Sequence, residues 1–259
     1  MPVTAQPLRA VQATRYVTPL REGGSLPALV EADDDGLYVV KLRGAGQGLK
    51  ALVAEVVAGE AARAAGLRVP ELVLAGLDPA IGHAEPDPEI QDLLAASAGV
   101  NLGMDFLPGA LPFAAAAPRG VDAELAAAVV WLDALTTNVD RTPRNPNLLV
   151  WHGNLWLIDH GAALYRHHDP ATWPGDAARR PFPQIRDHVL LPVAGSILAA
   201  HERLAPRLDE PALIAIADAV PAEWLGEREG PARRAYVEHL GERLASGAFA
   251  REAEDARGA

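Results

Sequence analysis

Cysteine is absent from the 259 residues, so neither a disulfide framework nor a thiolate metal site can form. Aromatic residues make up only 5% of the chain, although apolar residues as a whole reach 49%. The core must therefore be filled mainly by alanine, leucine and valine. No apolar run approaches about 18 residues, as a membrane-spanning helix would require, and the first residues lack the apolar segment of a signal peptide. These absences predict a globular, cytoplasmic protein.

Positive charge is also scarce. Lys and Arg number 23 against 34 Asp and Glu, which gives a formal net charge of −11. Because contacts with nucleic-acid phosphates need a basic face, this balance argues against direct nucleic-acid binding. The sequence contains neither a His-Glu-x-x-His zinc motif nor a Gly-x-Ser-x-Gly nucleophile motif, which disfavours a zinc enzyme and a serine hydrolase.

The first part of the chain has the pattern of strands with one helix. Apolar runs on both sides of the Asp33–Gly36 turn predict a β-hairpin, and apolar positions at helical spacing predict a helix from Leu49 to Ala65. Residues 71–77 are typical of another strand. A Pro- and Ala-rich stretch from Leu107 to Gly120 is typical of a connector.

After the connector the pattern becomes helical. A helix is predicted from Val121 to Thr136, with Asp122 as its N-cap, and helices dominate after residue 162. The last dozen residues, rich in Ala, Glu and Arg, are expected to fray. Strands that are segregated from helices along the chain predict an α+β fold rather than an alternating parallel sheet.

The most informative segment is a loop dense in Asp, Asn and Arg at residues 138–147. It leads into two short apolar runs separated by His-Gly-Asn, a pattern that predicts a β-hairpin. If Trp151 lies opposite Leu155, then Asn147 faces Asp159, and opposed residues of an antiparallel pair share a face. We therefore expect an amide oxygen and a carboxylate to meet at one end of this hairpin, beside the loop.

Such a set of groups suits phosphoryl transfer. Carboxylate and amide oxygens are hard ligands that bind Mg²⁺ together with phosphates. In phosphoryl transfer one carboxylate orients or deprotonates the attacking hydroxyl, and a second carboxylate with an Asn holds the metal. Asp140 is the candidate for the first role and Asp159 for the second. Arg141 or Arg144 is the candidate for neutralising the transferred charge.

The motif Asn138-x-Asp140-Arg141, followed by Asn145 and then by Ile158-Asp159-His160-Gly161, resembles the catalytic and metal-binding loops of the HipA-like serine/threonine kinases. These kinases are similar to phosphoinositide 3/4-kinases and to protein kinases. The resemblance implies that Asp140 is the catalytic aspartate and Asp159 the metal aspartate of an Asp-Phe-Gly motif, in which His160 replaces Phe.

The same resemblance implies a bilobal protein-kinase-like fold, with a small β-rich N-lobe over residues 1–107 and a mostly helical C-lobe over residues 108–259. The metal-binding amide has two candidates. The family spacing of five residues after the catalytic aspartate indicates Asn145, whereas the strand that follows and the hairpin register favour Asn147.

The resemblance extends upstream of the connector. Lys41, at the end of Tyr38-Val39-Val40-Lys41, matches the kinase lysine that reaches the ATP phosphates. Its helical partner is Glu55 or Glu60, of which Glu55 fits the family pattern better. Gly23-Gly24-Ser25 stands where the family has its phosphate-covering loop. Asp105-Phe106-Leu107 stands where the backbone of the hinge recognises adenine.

These expectations combine into an ATP- and Mg²⁺-dependent kinase that phosphorylates a Ser or Thr hydroxyl of a protein, with its own chain as one candidate acceptor. Two alternatives keep the same fold: a kinase acting on a small molecule or lipid, and a nucleotide-binding pseudokinase that acts as a partner-binding module. The expected partners are ATP and a hydroxyl acceptor, without nucleic acid or membrane. The retained Asp140 and Asp159 speak against the pseudokinase.

Overall fold

The computed structural model describes residues 7–20, 26–46, 48–83, 85–114 and 121–258. They fall into two compact units. The strand-rich unit contains residues 7–52 and 70–108, and the helical unit contains residues 53–69 and those from 109 onward. The predicted mixture of strands and helices is confirmed, while the bilobal arrangement with a boundary at residue 107 stays a prediction. No helix within the described ranges is long and apolar enough to cross a membrane.

A closed barrel with the strand order β1-β2-β3-β5-β4 forms the strand-rich unit. Neighbouring strands pair antiparallel, except that β1 and β4 close the barrel in parallel. The predicted hairpin, the predicted strand at 71–77 and the helix starting at Leu49 are confirmed. The elements of this unit are β1 (Arg9–Pro19), β2 (Ala28–Ala32), β3 (Leu37–Lys41), the first turn of α1 (Leu49–Ala65), β4 (Leu72–Leu77), a 3₁₀ helix (Pro79–Gly82), α2 (Pro88–Ala96) and β5 (Gly99–Asp105).

The barrel closes around small and branched side chains. In β2, Ala28, Val30 and Ala32 point inward at alternate positions, as a strand with one buried face requires. The three aspartates of the turn between β2 and β3 are exposed, and Asp34 accepts hydrogen bonds from Arg9 and from the Tyr38 hydroxyl. The hydrogen bonds from Arg9 and then Tyr38 lower the pKa of Asp34 to about 2.

The helical unit is assembled around α3. Its elements, besides the rest of α1, are β6 (Leu111–Pro112), α3 (Ala123–Thr136), β7 (Leu148–Trp151), β8 (Asn154–Leu157), α4 (Ile197–Leu204), α5 (Glu210–Asp218), α6 (Ala222–Leu225), α7 (Glu229–Ser246), α8 (Ala248–Gly258) and 3₁₀ helices at Tyr165–His168, Gly175–Arg179, Pro183–Asp187, Leu191–Val193, Ala205–Arg207 and Gly226–Arg228.

Helix α3 is apolar on every side because it is buried over Ala126–Thr136, as expected for a helix in the middle of a core. Its predicted N-cap is confirmed: the Asp122 carboxylate accepts a hydrogen bond from the Leu125 N–H at 2.7 Å. The expectation of a frayed C-terminus was wrong. Helix α8 buries Phe249, Ala250 and Ala253, so these apolar side chains hold the last helix in place.

The predicted hairpin forms, but in a register one residue from the expected one. Trp151 pairs with Asn154, not with Leu155. The reason is a two-residue turn in which His152 and Gly153 both have positive φ, 49° and 74°, the backbone of a type I′ turn. Asn147 therefore lies opposite Ile158, and the Ile158 N–H donates to the Asn147 carbonyl at 3.1 Å.

Candidate active site

A buried carboxylate on α3 organises the candidate active site. Asp133 is 0% exposed, and its Oδ2 accepts hydrogen bonds from Arg141 Nε at 2.5 Å and from His188 Nε2 at 2.9 Å. Burial opposes the ionisation of Asp133. The positive charge of Arg141 and the hydrogen bond from His188 outweigh it and hold the pKa of Asp133 well below its ordinary value. Asp133 is thus an ionised carboxylate that holds Arg141 and His188, which come from two other segments of the chain.

The tautomer of His188 follows from its two partners. The Leu190 N–H donates to His188 Nδ1 at 3.1 Å, so Nε2 carries the proton that is donated to Asp133. Burial of His188 lowers its pKa, in agreement with a neutral ring. The same segment also fixes the loop backbone, since the Val189 N–H donates to the Arg141 carbonyl at 3.0 Å.

Asn138 connects this anchor to Asp140. Its side-chain Nδ2 donates to Asp133 Oδ1 at 3.0 Å, and its Oδ1 accepts the Asp140 N–H at 3.1 Å. An Asn that bonds to the backbone two residues later closes an Asx turn. The Asn-x-Asp spacing of the sequence thus has a local reason: it places Asp140 at a fixed point relative to α3.

The carboxylate of Asp140 is held by both candidate amides. Asp140 Oδ2 accepts from Asn145 Nδ2 at 2.8 Å and from Asn147 Nδ2 at 3.3 Å. Asn145 is exposed and Asn147 is buried. Since each amide nitrogen is bonded to Asp140, the atom that each asparagine can offer to a cation is its Oδ1.

Arg141 joins the loop to the open end of the hairpin. It is 1% exposed, and its Nη1 donates to the carbonyls of Asn147 and Ile158. Its charge is paired with Asp133 inside the unit. This set of contacts gives Arg141 a positioning role: it fixes both strand ends that carry the candidate metal ligands.

The backbone around Asp159 is held from three sides. Asp159 has a φ of +56°, a left-handed conformation that Asp tolerates better than most residues. The preceding residue, Ile158, is bonded to Asn147 and Arg141 as described above. The following residue, His160, donates its N–H to Glu55 Oε2 of α1 at 2.9 Å. Glu55 is 2% exposed, so a buried acid fixes the peptide next to Asp159.

The two glutamates predicted on α1 are distinguished by these contacts. Glu55 contacts the segment that carries Asp159, whereas Glu60 forms an ion pair with Arg63 of its own helix at 3.4 Å. Burial raises the pKa of Glu60. The choice of Glu55 over Glu60 as the helical glutamate near the site is therefore favoured by the geometry.

The donor chemistry fits a magnesium ion with phosphates. A carboxylate and an amide oxygen, from Asp159 and one asparagine, are the hard oxygen donors that Mg²⁺ takes, and its other positions are filled by phosphates and water. Among the described residues no group of three or more His, Cys, Asp or Glu side chains could hold a metal ion.

A family model described as HipA-like kinase matches residues 14–245. The chain belongs to the HipA-like kinase family. The predicted family is confirmed, and the match covers both units, including the Asn138-x-Asp140-Arg141 motif and Asp159. As a member of the HipA-like kinase family, the chain is assigned to the phosphotransferases.

One solved kinase structure supports the fold, and a second is a weaker match. The crystal structure of the Helicobacter pylori proinflammatory kinase CtkA matches with a TM-score of 0.59 at 14% identity, covering 96% of this chain and 98% of that one. The crystal structure of the Golgi casein kinase with Mn/ADP bound matches with a TM-score of 0.46 at 13% identity, covering 92% of this chain and 73% of that one. A comparison with curated proteins gave no match.

The predicted nucleotide-binding residues of this HipA-like kinase that the structure describes belong to the strand-rich unit. Lys41 ends β3, is 9% exposed and pairs with Leu102 of β5. Asp105 ends β5, its N–H donates to the Glu71 carbonyl, and the Phe106 N–H donates to the Leu37 carbonyl, both at 2.9 Å. Gly23, Gly24 and Ser25 lie outside the described residues.

Sequence reasoning missed Asp133 and His188. Asp133 carried a signal in the sequence, because a single acid in the middle of the apolar helix Ala126–Thr136 is costly to bury without a partner. His188 carried none: it is one of 8 histidines, and only the folded chain places it against α3.

Proposed function

We propose that this HipA-like kinase transfers the γ-phosphoryl group of ATP to a Ser or Thr hydroxyl of a protein, with its own chain among the possible acceptors. The observation that carries the proposal is the position of Asp140: two asparagines hold its carboxylate, and its backbone N–H is bonded to Asn138, which is bonded to the buried Asp133. A carboxylate held in this way is suited to orienting a hydroxyl.

In the reaction, the acceptor oxygen forms a bond to the γ-phosphorus while the bond from that phosphorus to the β–γ bridging oxygen breaks. Asp140 orients the hydroxyl and accepts its proton. Asn145 and Asn147 keep the Asp140 carboxylate in place. Mg²⁺, held by Asp159 and an asparagine, would neutralise charge on the phosphates.

We assign the metal-binding amide to Asn147. Its backbone is bonded to Ile158, and Arg141 bonds both residues, so Asn147 and Asp159 are positioned as one unit. Asn145 is exposed and its side-chain nitrogen bonds Asp140 at 2.8 Å, which suits a role in orienting Asp140.

Replacing each asparagine by alanine separates these roles. We expect Asn147→Ala to raise the Mg²⁺ concentration for half-maximal transfer by about tenfold or more, because a ligand is lost. Asn145→Ala should lower the rate at saturating Mg²⁺ while changing its half-maximal concentration little. Initial rates measured over a series of Mg²⁺ concentrations check both. The reverse pattern would assign the ligand to Asn145.

The nucleotide is assigned by the family resemblance. We propose that Lys41 binds the α- and β-phosphates, that Gly23, Gly24 and Ser25 cover them, and that residues 105–107 bind adenine through their backbone. Because the N–H groups of Asp105 and Phe106 are bonded inside the strand-rich unit, we assign the donor to adenine to Leu107. Lys41 is nearly buried at the end of a strand, as a functional rather than a solvated lysine would be.

The test of this function is ATP turnover with Mg²⁺ by the wild type and by Asp140→Asn. We expect the rate to fall about 10²- to 10⁴-fold, as for loss of a general base, with ATP affinity measured by calorimetry unchanged. The exposed Asp218→Asn removes the same charge and should behave as wild type. Equal turnover in the Asp140 and Asp218 variants would refute the catalytic role of Asp140.

Mass spectrometry identifies which class of molecule accepts the phosphoryl group. Incubation of the protein with ATP and Mg²⁺ should add phosphate, a mass increment of roughly 80 Da, to its own Ser or Thr residues. Transfer only to a small molecule or lipid would favour the first alternative. Binding of ATP with Mg²⁺ but no transfer to any acceptor would favour the pseudokinase.

A further inference from the structure

An arginine-rich cavity lies in the helical unit. Its volume is about 450 Å³, and it is lined by residues between 178 and 186 and by parts of α7 and α8. Two carboxylates, Glu252 and Asp255, also line it. Five arginines against two acids give a local excess of three positive charges in a protein whose net charge is −11. The five are Arg179, Arg180, Arg186, Arg243 and Arg251.

Among the described residues, most of these arginines form no salt bridge, although Asp169 interacts electrostatically with Arg180. Arg179 forms an ion pair with Glu242 at 2.5 Å, and Arg251 donates to the Ser246 carbonyl. Arg180 and Arg186 form no salt bridge within the described part of the chain. Solvent-exposed cations that converge on a concave surface raise the local concentration of anions.

Arg243 adds a buried cation to the cavity lining. It is 2% exposed, and its guanidinium donates to the carbonyls of Ala134 at 2.7 Å, Leu135 at 2.8 Å and Ala178 at 3.1 Å. These carbonyls hold the guanidinium in place but do not cancel its charge. Burial lowers the pKa of Arg243 to about 10, so a nearby anion would stabilise its charged form.

We propose that this cavity is a second phosphate site, which binds a phosphate monoester carried by a phosphorylated side chain or by a small phosphorylated molecule. The planar, forked guanidinium matches phosphate oxygens better than any other side chain. A volume of about 450 Å³ also admits the atoms that carry the phosphate, since ligand cavities start at about 300 Å³. The proposal does not depend on the site around Asp140.

Calorimetric titration with inorganic phosphate and with phosphoserine, at constant ionic strength, tests it. The informative variant is Arg180→Ala/Arg186→Ala, because both side chains are exposed and their loss should not affect folding. The matched control is Arg228→Ala/Arg234→Ala, which removes two exposed arginines of α7 and its N-cap that do not line the cavity. Phosphate bound elsewhere, including at the nucleotide site, would be affected equally in both variants.

We expect the wild type and the control to bind both ligands and the cavity variant to bind at least about tenfold more weakly, as for the loss of charge-assisted hydrogen bonds. If a phosphoserine peptide binds more tightly than free phosphoserine, the phosphate group is carried by a phosphorylated protein. If the peptide and free phosphoserine bind with equal affinity, the ligand is a small phosphorylated molecule. Absence of binding to the wild type, or equal affinity of the two double variants, overturns the proposal.

Discussion

Replacing Asp159 with asparagine is expected to reduce Mg²⁺-dependent phosphoryl transfer roughly 10³-fold or more, because the carboxylate proposed to hold the charge-neutralising Mg²⁺ at the phosphates is lost. Asparagine keeps the size of the side chain and tolerates the φ of +56° at this position. The loss should therefore appear without a change in the free energy of unfolding. Transfer rates with Mg²⁺ and urea unfolding measured on the same preparation check the two parts.

Alanine at the same position provides an internal comparison. Asp159→Ala should lose transfer to the same extent but should also lose about 1 kcal/mol of stability, because alanine in a left-handed conformation is strained. Asp92→Asn, an exposed aspartate of α2, is the charge-matched control and should retain both properties. If Asp159→Asn retains metal-dependent transfer, Asp159 is not a metal ligand.

The element pattern of this fold was readable from the sequence because it depends on local chemistry. The Asp-Gly turn predicts the β2–β3 hairpin, and Asp122 predicts the first residue of α3, since turns and caps are made by residues close in sequence. The C-terminal helix was misjudged for the opposite reason. Its apolar residues Phe249, Ala250 and Ala253 are few among charged ones, and only their burial in the tertiary structure stabilises α8.

The candidate site was predictable in its motif but not in its register. The sequence identifies Asp140 and Asp159, yet the expected pairing of Trp151 with Leu155 was wrong by one residue. That register depends on His152 adopting positive φ in a two-residue turn, where Asn or Asp is the usual signal. Left-handed backbone at Asn147 and at Asp159, with φ values of 49° and 56°, interrupts the alternation of strand faces, which periodicity alone does not predict.

The site also depends on contacts between residues distant in sequence. Glu55 reaches the His160 N–H across 105 positions, and His188 reaches Asp133 across 55. The residues next to Asp159 and Asp140 are thus fixed by buried acids on two different helices. The proposed catalytic groups Asp140 and Asp159 lie in the loop and just after the hairpin, and the groups that position them lie in the core of the helical unit.

This division predicts a large effect at Asp133, a residue with no proposed contact to substrate. Asp133→Asn should cost about 3–5 kcal/mol of unfolding free energy, because it leaves the buried Arg141 without its ion pair. Transfer measured at a temperature where the variant is folded should show a lower kcat with little change in the KM for ATP, since the loop holding Asp140 is loosened while nucleotide contacts are kept.

A matched substitution on the same helix tests the physical reason. Glu124→Gln also removes one negative charge from α3, but Glu124 is exposed and pairs with Arg203 at the surface, so we expect a cost of only about 0–1 kcal/mol. Arg141→Met combined with Asp133→Asn should cost less than the sum of the two single changes, because neither variant then buries an unpaired charge. Equal stability of Asp133→Asn and Glu124→Gln, or additive costs in the double variant, would show that the Asp133–Arg141 pair does not hold the loop.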